Sequence, residues 1–141
     1  MKAKDIMSSP AITVKRETPI RELAGIMRKN HISGVPVVDD QGKLVGIVTE
    51  LNLIARNAPV IGPSYIALLS GLIPVDINQY RRYREQLRQV LAANAGELMT
   101  KEVSSVTPDA ELETLMGLME RPDIVQVPVL DNGQVVGVVS R

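Results

Sequence analysis

Apolar positions along this chain alternate between two periods. From Gly34 to Thr49, Val35, Val37 and Val38, then Leu44, Val45, Ile47 and Val48, form two short runs around Asp40-Gln41-Gly42. β-Branched and aliphatic residues of this kind suit a pleated, mostly buried surface. Gly42 is free to take the positive φ that a tight turn needs. A hairpin with strands over 32–38 and 43–48 is predicted. Upstream, Ile20, Leu23, Ala24 and Met27 recur at the spacing of one helix face. Thr18 fits the N-cap and Pro19 the first helical position, and Asn30 fits the C-terminal end. A short strand over 11–14, a helical turn at Asp5-Ile6-Met7 and a further helix beginning near Glu50 complete the unit.

The same pattern returns. Leu112, Leu115, Met116 and Met119 repeat the helical stripe, which should end near Arg121 because Pro122 cannot continue it. A second hairpin follows from Val127 to Ser140. Met7 and Met99, Met27 and Met119, and Pro36 and Pro128 are each 92 positions apart. Across the 33 pairs from Met7 to Asp39, ten residues are identical without a gap. After the turn the spacing falls to 91, as between Gly46 and Gly137. Loss of one residue in a surface turn is readily tolerated. Self-similarity held through a helix and a hairpin is an internal duplication. Two repeats of this size are marginal singly and are read as halves of one domain. The expected class is α/β (α+β), with a first repeat over 1–55, an insertion over 56–95 and a second repeat over 96–141. The second repeat is read as C-terminally incomplete, because the chain stops at Arg141 where the first repeat runs on into a helix.

The insertion breaks the pattern. Residues 57–75 carry no charge, a length that would reach across a bilayer. Pro59, Gly62, Pro63, Gly71 and Pro74 punctuate them, so a buried helix over 65–73, packed on the core or on a second subunit, is expected instead. A helix over 77–93 should place Tyr80, Arg84, Leu87 and Leu91 on one face, with Arg81, Arg82, Glu85 and Arg88 in water. Asn94 to Gly96 should end it. An arginine group of this kind reads as a solvated face, with phosphate or an acidic partner as the alternative.

Composition then narrows the chemistry. The 141 residues contain no cysteine, one histidine and equal numbers of basic and acidic residues. Disulfides, thiol catalysis and cysteine or histidine metal clusters are excluded. A formal net charge of zero argues against general nucleic-acid binding by a basic face. The first residues lead into no apolar segment of signal-peptide type, so a cytoplasmic location is the default and no membrane association is expected. No nucleophile and base pair stands out, so the chain is not read as an enzyme. Asp39 and Asp40 lie in a turn where aspartate is common for backbone reasons. His31 lies at a helix end and reads as a terminus or surface residue. The junction Gly46 to Asn52 is more specific. A strand ends at Thr49 and a helix begins, which suits a phosphate at the backbone N–H groups and a sugar at Asn52. Equally, Thr49 is simply the N-cap of that helix.

These residues together resemble the cystathionine-β-synthase (CBS) domain. The resemblance rests on Ile32-Ser33-Gly34-Val35-Pro36-Val37-Val38-Asp39, on Gly46 through Asn52, and on Asp5-Ile6-Met7 and Glu97-Leu98-Met99. It covers both repeats and leaves the insertion aside. It implies two β-α-β-β-α repeats packed with pseudo-twofold symmetry, two clefts between them and a disc-like homodimer. It also implies a regulatory adenosine ligand (AMP, ADP, ATP or S-adenosylmethionine), with no catalytic cofactor and no metal. One cleft would use Thr49 and Asn52 with Ser105, Ile124, Val125, Gln126 and Pro128. The other would use Thr13, Ile32, Ser33, Gly34, Val35 and Pro36 with Ser140. Asn52 stands where the family more often has aspartate, and Val125-Gln126 stand where the first repeat has Ser33-Gly34, so the clefts should differ. The implied function is a non-catalytic module that reports an adenosine ligand to a regulated protein partner. A nucleotide-independent dimerisation scaffold is the alternative.

Overall fold

The computed structural model describes residues 1–56 and 93–141. Its elements run α1 (Ala3–Ile6), β1 (Val14–Lys15), α2 (Ile20–Asn30), β2 (Gly34–Val38), β3 (Leu44–Thr49) and α3 (Glu50–Arg56). They continue with α4 (Ala95–Leu98), α5 (Leu112–Met119), β4 (Gln126–Asp131) and β5 (Gln134–Ser140). The helices expected over 65–73 and 77–93, and the arginines of the latter, lie outside the described residues, apart from Ala93. Asn94 starts a helix, α4. Its side chain accepts from the Glu97 N–H at 3.0 Å and caps α4.

β1 pairs in parallel with β2, and β2 pairs antiparallel with β3. β4 and β5 form the equivalent hairpin, and a single parallel bridge from Val106 to Val129 replaces β1. Both hairpin turns use positive φ, at Gly42 in the first and at Asn132 and Gly133 in the second. Asp39 closes the first turn as an Asx motif, its Oδ1 accepting from the N–H groups of Gln41 and Lys43, both at 2.9 Å. Those bonds, that from Lys43 foremost, hold its carboxyl below the usual aspartate range.

The helix ends differ from expectation by one position. Pro19 is the N-cap of α2, while the Thr18 hydroxyl accepts from the Lys15 N–H at 3.1 Å and closes the preceding turn. His31, at φ 54°, is the left-handed cap, and Asn30 is the last helical residue. α2 buries Ile20, Leu23, Ala24 and Met27 as its spacing predicts. α5 does not match it. Leu115 is buried, but Met116 is 62% exposed. Leu53 of α3 completes the first core.

The two repeats exchange their opening turns. α1 precedes the first repeat yet packs on the second, with Ala3 buried against Leu115, Val127, Val129 and Val139. α4 precedes the second repeat, and its Ala95 and Leu98, with Met99, sit in the core of the first. The bonds obey the pseudo-twofold relation. Ser8 N donates to Val138 O at 2.8 Å, and Thr100 N donates to Ile47 O at 2.8 Å. The repeated methionines and strand glycines explain each other. A Cβ on Gly46 would come within 2.8 Å of Met99 Cγ, and one on Gly137 within 2.9 Å of Met7 Cγ. Each sheet therefore leaves a side-chain gap that the other repeat's methionine fills.

Candidate functional site

Exchange brings the end of β3 next to the segment after α4, and a cleft of about 540 Å³ opens there. Ile47, Thr49, Leu51 and Asn52 line one side; Thr100, Glu102, Val103 and Ser104 follow, with Arg121, Asp123, Ile124, Val125 and Gln126 opposite. The strand-to-helix junction is built around Asn52. Its Oδ1 accepts from both the N–H and the hydroxyl of Thr49, at 2.8 and 3.1 Å, and its Nδ2 donates to Thr100 Oγ1 at 2.8 Å. One amide thereby joins the repeats across the cleft. Thr49 is 7% exposed, and its hydroxyl donates back to the helix's third residue. That is the reverse half of a capping box rather than a simple threonine cap.

Gln126 occupies the position equivalent to Gly34, so the two meet on the pseudo-twofold axis. Its Nε2 donates to Gly34 O at 3.1 Å. A Cβ at 34 would meet Gln126 Oε1 at an ordinary 3.5 Å, and its tight neighbour would be Thr49 Cγ2 at 3.2 Å. Gln126 is 4% exposed, and its Oε1 is buried without a hydrogen-bond partner among the described residues. At the rim Arg121 pairs with Asp123 at 2.9 Å.

A smaller cleft of about 330 Å³ lies at the symmetry-related position, lined by Met27, Arg28, His31, Ile32, Ser33, Glu50, Ser140 and Arg141. The candidate residues distribute as follows. Thr49, Asn52, Ile124, Val125 and Gln126 share the larger cleft, where Val103 and Ser104, rather than Ser105, form the wall. Ile32, Ser33 and Ser140 share the smaller one; Gly34, Val35 and Pro36 are buried in β2, Pro128 is buried in β4, and Thr13 is not on the wall. Thr100, Glu102, Arg121 and Asp123 were not singled out by the sequence, nor were Arg28, Glu50 and Arg141. They stand in loops or at helix ends, where no periodic signal marks them. The repeat offers a partial pointer, since Asp123 is the counterpart of His31. Among the described residues no group of three or more histidine, aspartate or glutamate side chains is arranged to hold a metal. No described helix is long and apolar enough to cross a membrane.

The CBS domain profile matches residues 3–58 and 95–141. The chain belongs to the CBS domain family. The two matched stretches are the two repeats, and the exchange described above is how this CBS pair is joined. An uncharacterized protein of Methanocaldococcus jannaschii is 30% identical over 148 residues, spanning 100% of this chain and 87% of that protein. Among solved structures, the CBS domain of a CBS domain-containing membrane protein from Sphaerobacter thermophilus aligns at TM-score 0.74 and 29% identity, over 100% of this chain and 83% of that one. The CBS domain pair of protein MJ0100, solved in complex with 5′-methylthioadenosine and S-adenosyl-L-methionine, aligns at TM-score 0.69 and 28% identity. That alignment covers 99% of this chain and 89% of that one.

Proposed function

We propose that this CBS pair is a non-catalytic regulatory module that binds an adenosine compound in the cleft between its repeats and relays occupancy to a protein partner. The observation that carries the reading is the shared wall. Asn52 ties Thr49 of one repeat to Thr100 of the other, and Ile124 to Gln126 face them. A ligand lying there touches both repeats, so it favours one relative arrangement over another and shifts that population. The ligands in the MJ0100 complex support the adenosine class. The Thr49 hydroxyl and the Asn52 amide would meet the ribose, and the apolar Ile124 and Val125 the base. The homodimer and the cytoplasmic location belong to the same proposal.

Isothermal titration with AMP, ATP and S-adenosylmethionine tests it. Binding of at least one compound is expected, with Thr49→Val and Asn52→Leu each weakening it tenfold or more. The internal satisfaction of Thr49 by Asn52 favours one rival, a scaffold whose junction is purely structural. Absence of heat with all three ligands would select that rival, and the mass in solution would then be the property to follow.

A further inference from the structure

We propose that a second copy of this chain docks crosswise, α2 of each protomer on α5 of its partner, a basic helix face on an acidic one. This rests on the homodimer in the reading above and names its surface and its pairing. The charges carry it. Arg21, Gly25 and Arg28 fall at spacings 0, 4 and 7, one face of α2. The duplication puts Glu113, Gly117 and Glu120 at the equivalent places on α5 and its C-cap. The sign has therefore reversed at both charged positions, while the glycine between them is kept. Arg21, Arg28, Glu113 and Glu120 are exposed and make no ion pair among the described residues. Arg28 also borders the smaller cleft. The flanking Glu22 and Lys29 offset each other, and Arg121 is held by Asp123.

Shape agrees with charge. Glycine inside a helix is unfavourable relative to alanine. Yet a Cβ on Gly25 or Gly117 would meet nothing within 4 Å among the described residues, so their packing does not require either glycine. A glycine on an outer helix face lets a second helix approach closely. Met116 stands between Glu113 and Glu120 and is 62% exposed, whereas its counterpart Ala24 is buried. One face thus presents a methionine between two acids, and the other a notch between two arginines. Crossed pairing sets each Met116 at the partner's Gly25 and satisfies all four charges, whichever way the helices run. Pairing of like helices would oppose arginine to arginine and glutamate to glutamate. The two crossed contacts are identical and close a twofold dimer.

Sedimentation equilibrium of the full chain tests the pairing. Glu113→Lys with Glu120→Lys makes both faces basic, and Arg21→Glu with Arg28→Glu makes both acidic. We expect each double variant to self-associate at least tenfold more weakly than wild type. The two mixed in equal amounts should restore the dimer, as should all four changes in one chain, which also shows that the reversed helices fold. Gly25→Leu, which fills the notch, should weaken the dimer at least tenfold with the far-UV circular dichroism unchanged. A wild-type dimer that either reversal leaves intact, that the combination does not restore, or that Gly25→Leu leaves unchanged overturns the crossed pairing and leaves the homodimer standing. A wild-type monomer overturns the two together.

Discussion

If the repeats exchange their opening turns, Gly46 must be energetically coupled to Met99 and not to Met7. Alanine at position 46 would bring its Cβ to 2.8 Å from Met99 Cγ and 3.0 Å from Thr100 O. Overpacking of this kind costs about 1–3 kcal/mol. Met99 is almost fully buried, and its truncation to alanine should cost about 2–5 kcal/mol. Were the sites independent, the double variant would lose the sum. It should instead lose little more than Met99→Ala alone, because the new methyl group enters space that the methionine vacated. Thr100 O stays close, so a small residue of the glycine penalty should persist. The expected coupling is about 1–2 kcal/mol, well above the scatter of additive pairs. Urea unfolding of the four proteins of the cycle measures it. The pair Gly46→Ala and Met7→Ala is the control and should be additive, since Met7 packs at Gly137. Additivity with Met99, or coupling with Met7, would refute the exchanged arrangement.

Other consequences follow from single residues. Leu53→Ala should destabilise the protein by about 2–4 kcal/mol, because the side chain is fully buried in the first core; a urea midpoint close to wild type would show that α3 does not complete that core. For Asp39, the native carboxyl titrates below its unfolded value of 3.8, so its contribution to stability is present above about pH 4 and is lost as pH falls through the native value. The stability gap between wild type and Asp39→Asn should therefore be constant from pH 5 to 7 and shrink below pH 4; a gap that grows on acidification would contradict the Asx turn. Gln126→Leu should change stability by less than about 1 kcal/mol, since the lost bond to Gly34 is offset by removal of a buried acceptor that has no partner among the described residues. A loss of several kcal/mol would show Oε1 to be satisfied in solution.

The repeat was legible because duplication leaves a register that survives divergence. The pairs Met7 and Met99, Gly46 and Gly137, and Pro36 and Pro128 locate both hairpins and the helices before them. The hairpin strands were read to within two residues, since alternating valines have few other ways to be buried; the short strand expected over 11–14 lies instead at Val14–Lys15. The exchange was not legible. Two copies of an opening turn are chemically alike, and linear pattern does not say on which copy each docks. Met116 shows a related limit. Its spacing matches Ala24, but burial depends on what covers the helix, which periodicity does not report. At the site, Thr49 and Asn52 stood out because the strand-to-helix junction has a recognisable sequence, whereas Ile124 to Gln126 entered only through the resemblance to the CBS domain. Asp123 and Glu102 did not, because an exposed carboxylate in a loop resembles any other. The role of Asn52 was half-read. The sequence placed it one turn beyond Thr49, and only the structure shows one amide serving both Thr49 and Thr100.

The measurement closest to the central claim is thermal unfolding with and without adenosine compounds. A ligand at a hundred times its dissociation constant adds about 2.7 kcal/mol to stability, which for a chain of this size raises Tm by roughly 5–10 °C. The account predicts such a rise with at least one of 5′-methylthioadenosine, S-adenosylmethionine, AMP and ATP, and its disappearance in Asn52→Leu. An unchanged Tm with all four compounds, or a rise that survives both Asn52→Leu and Thr49→Val, would contradict it.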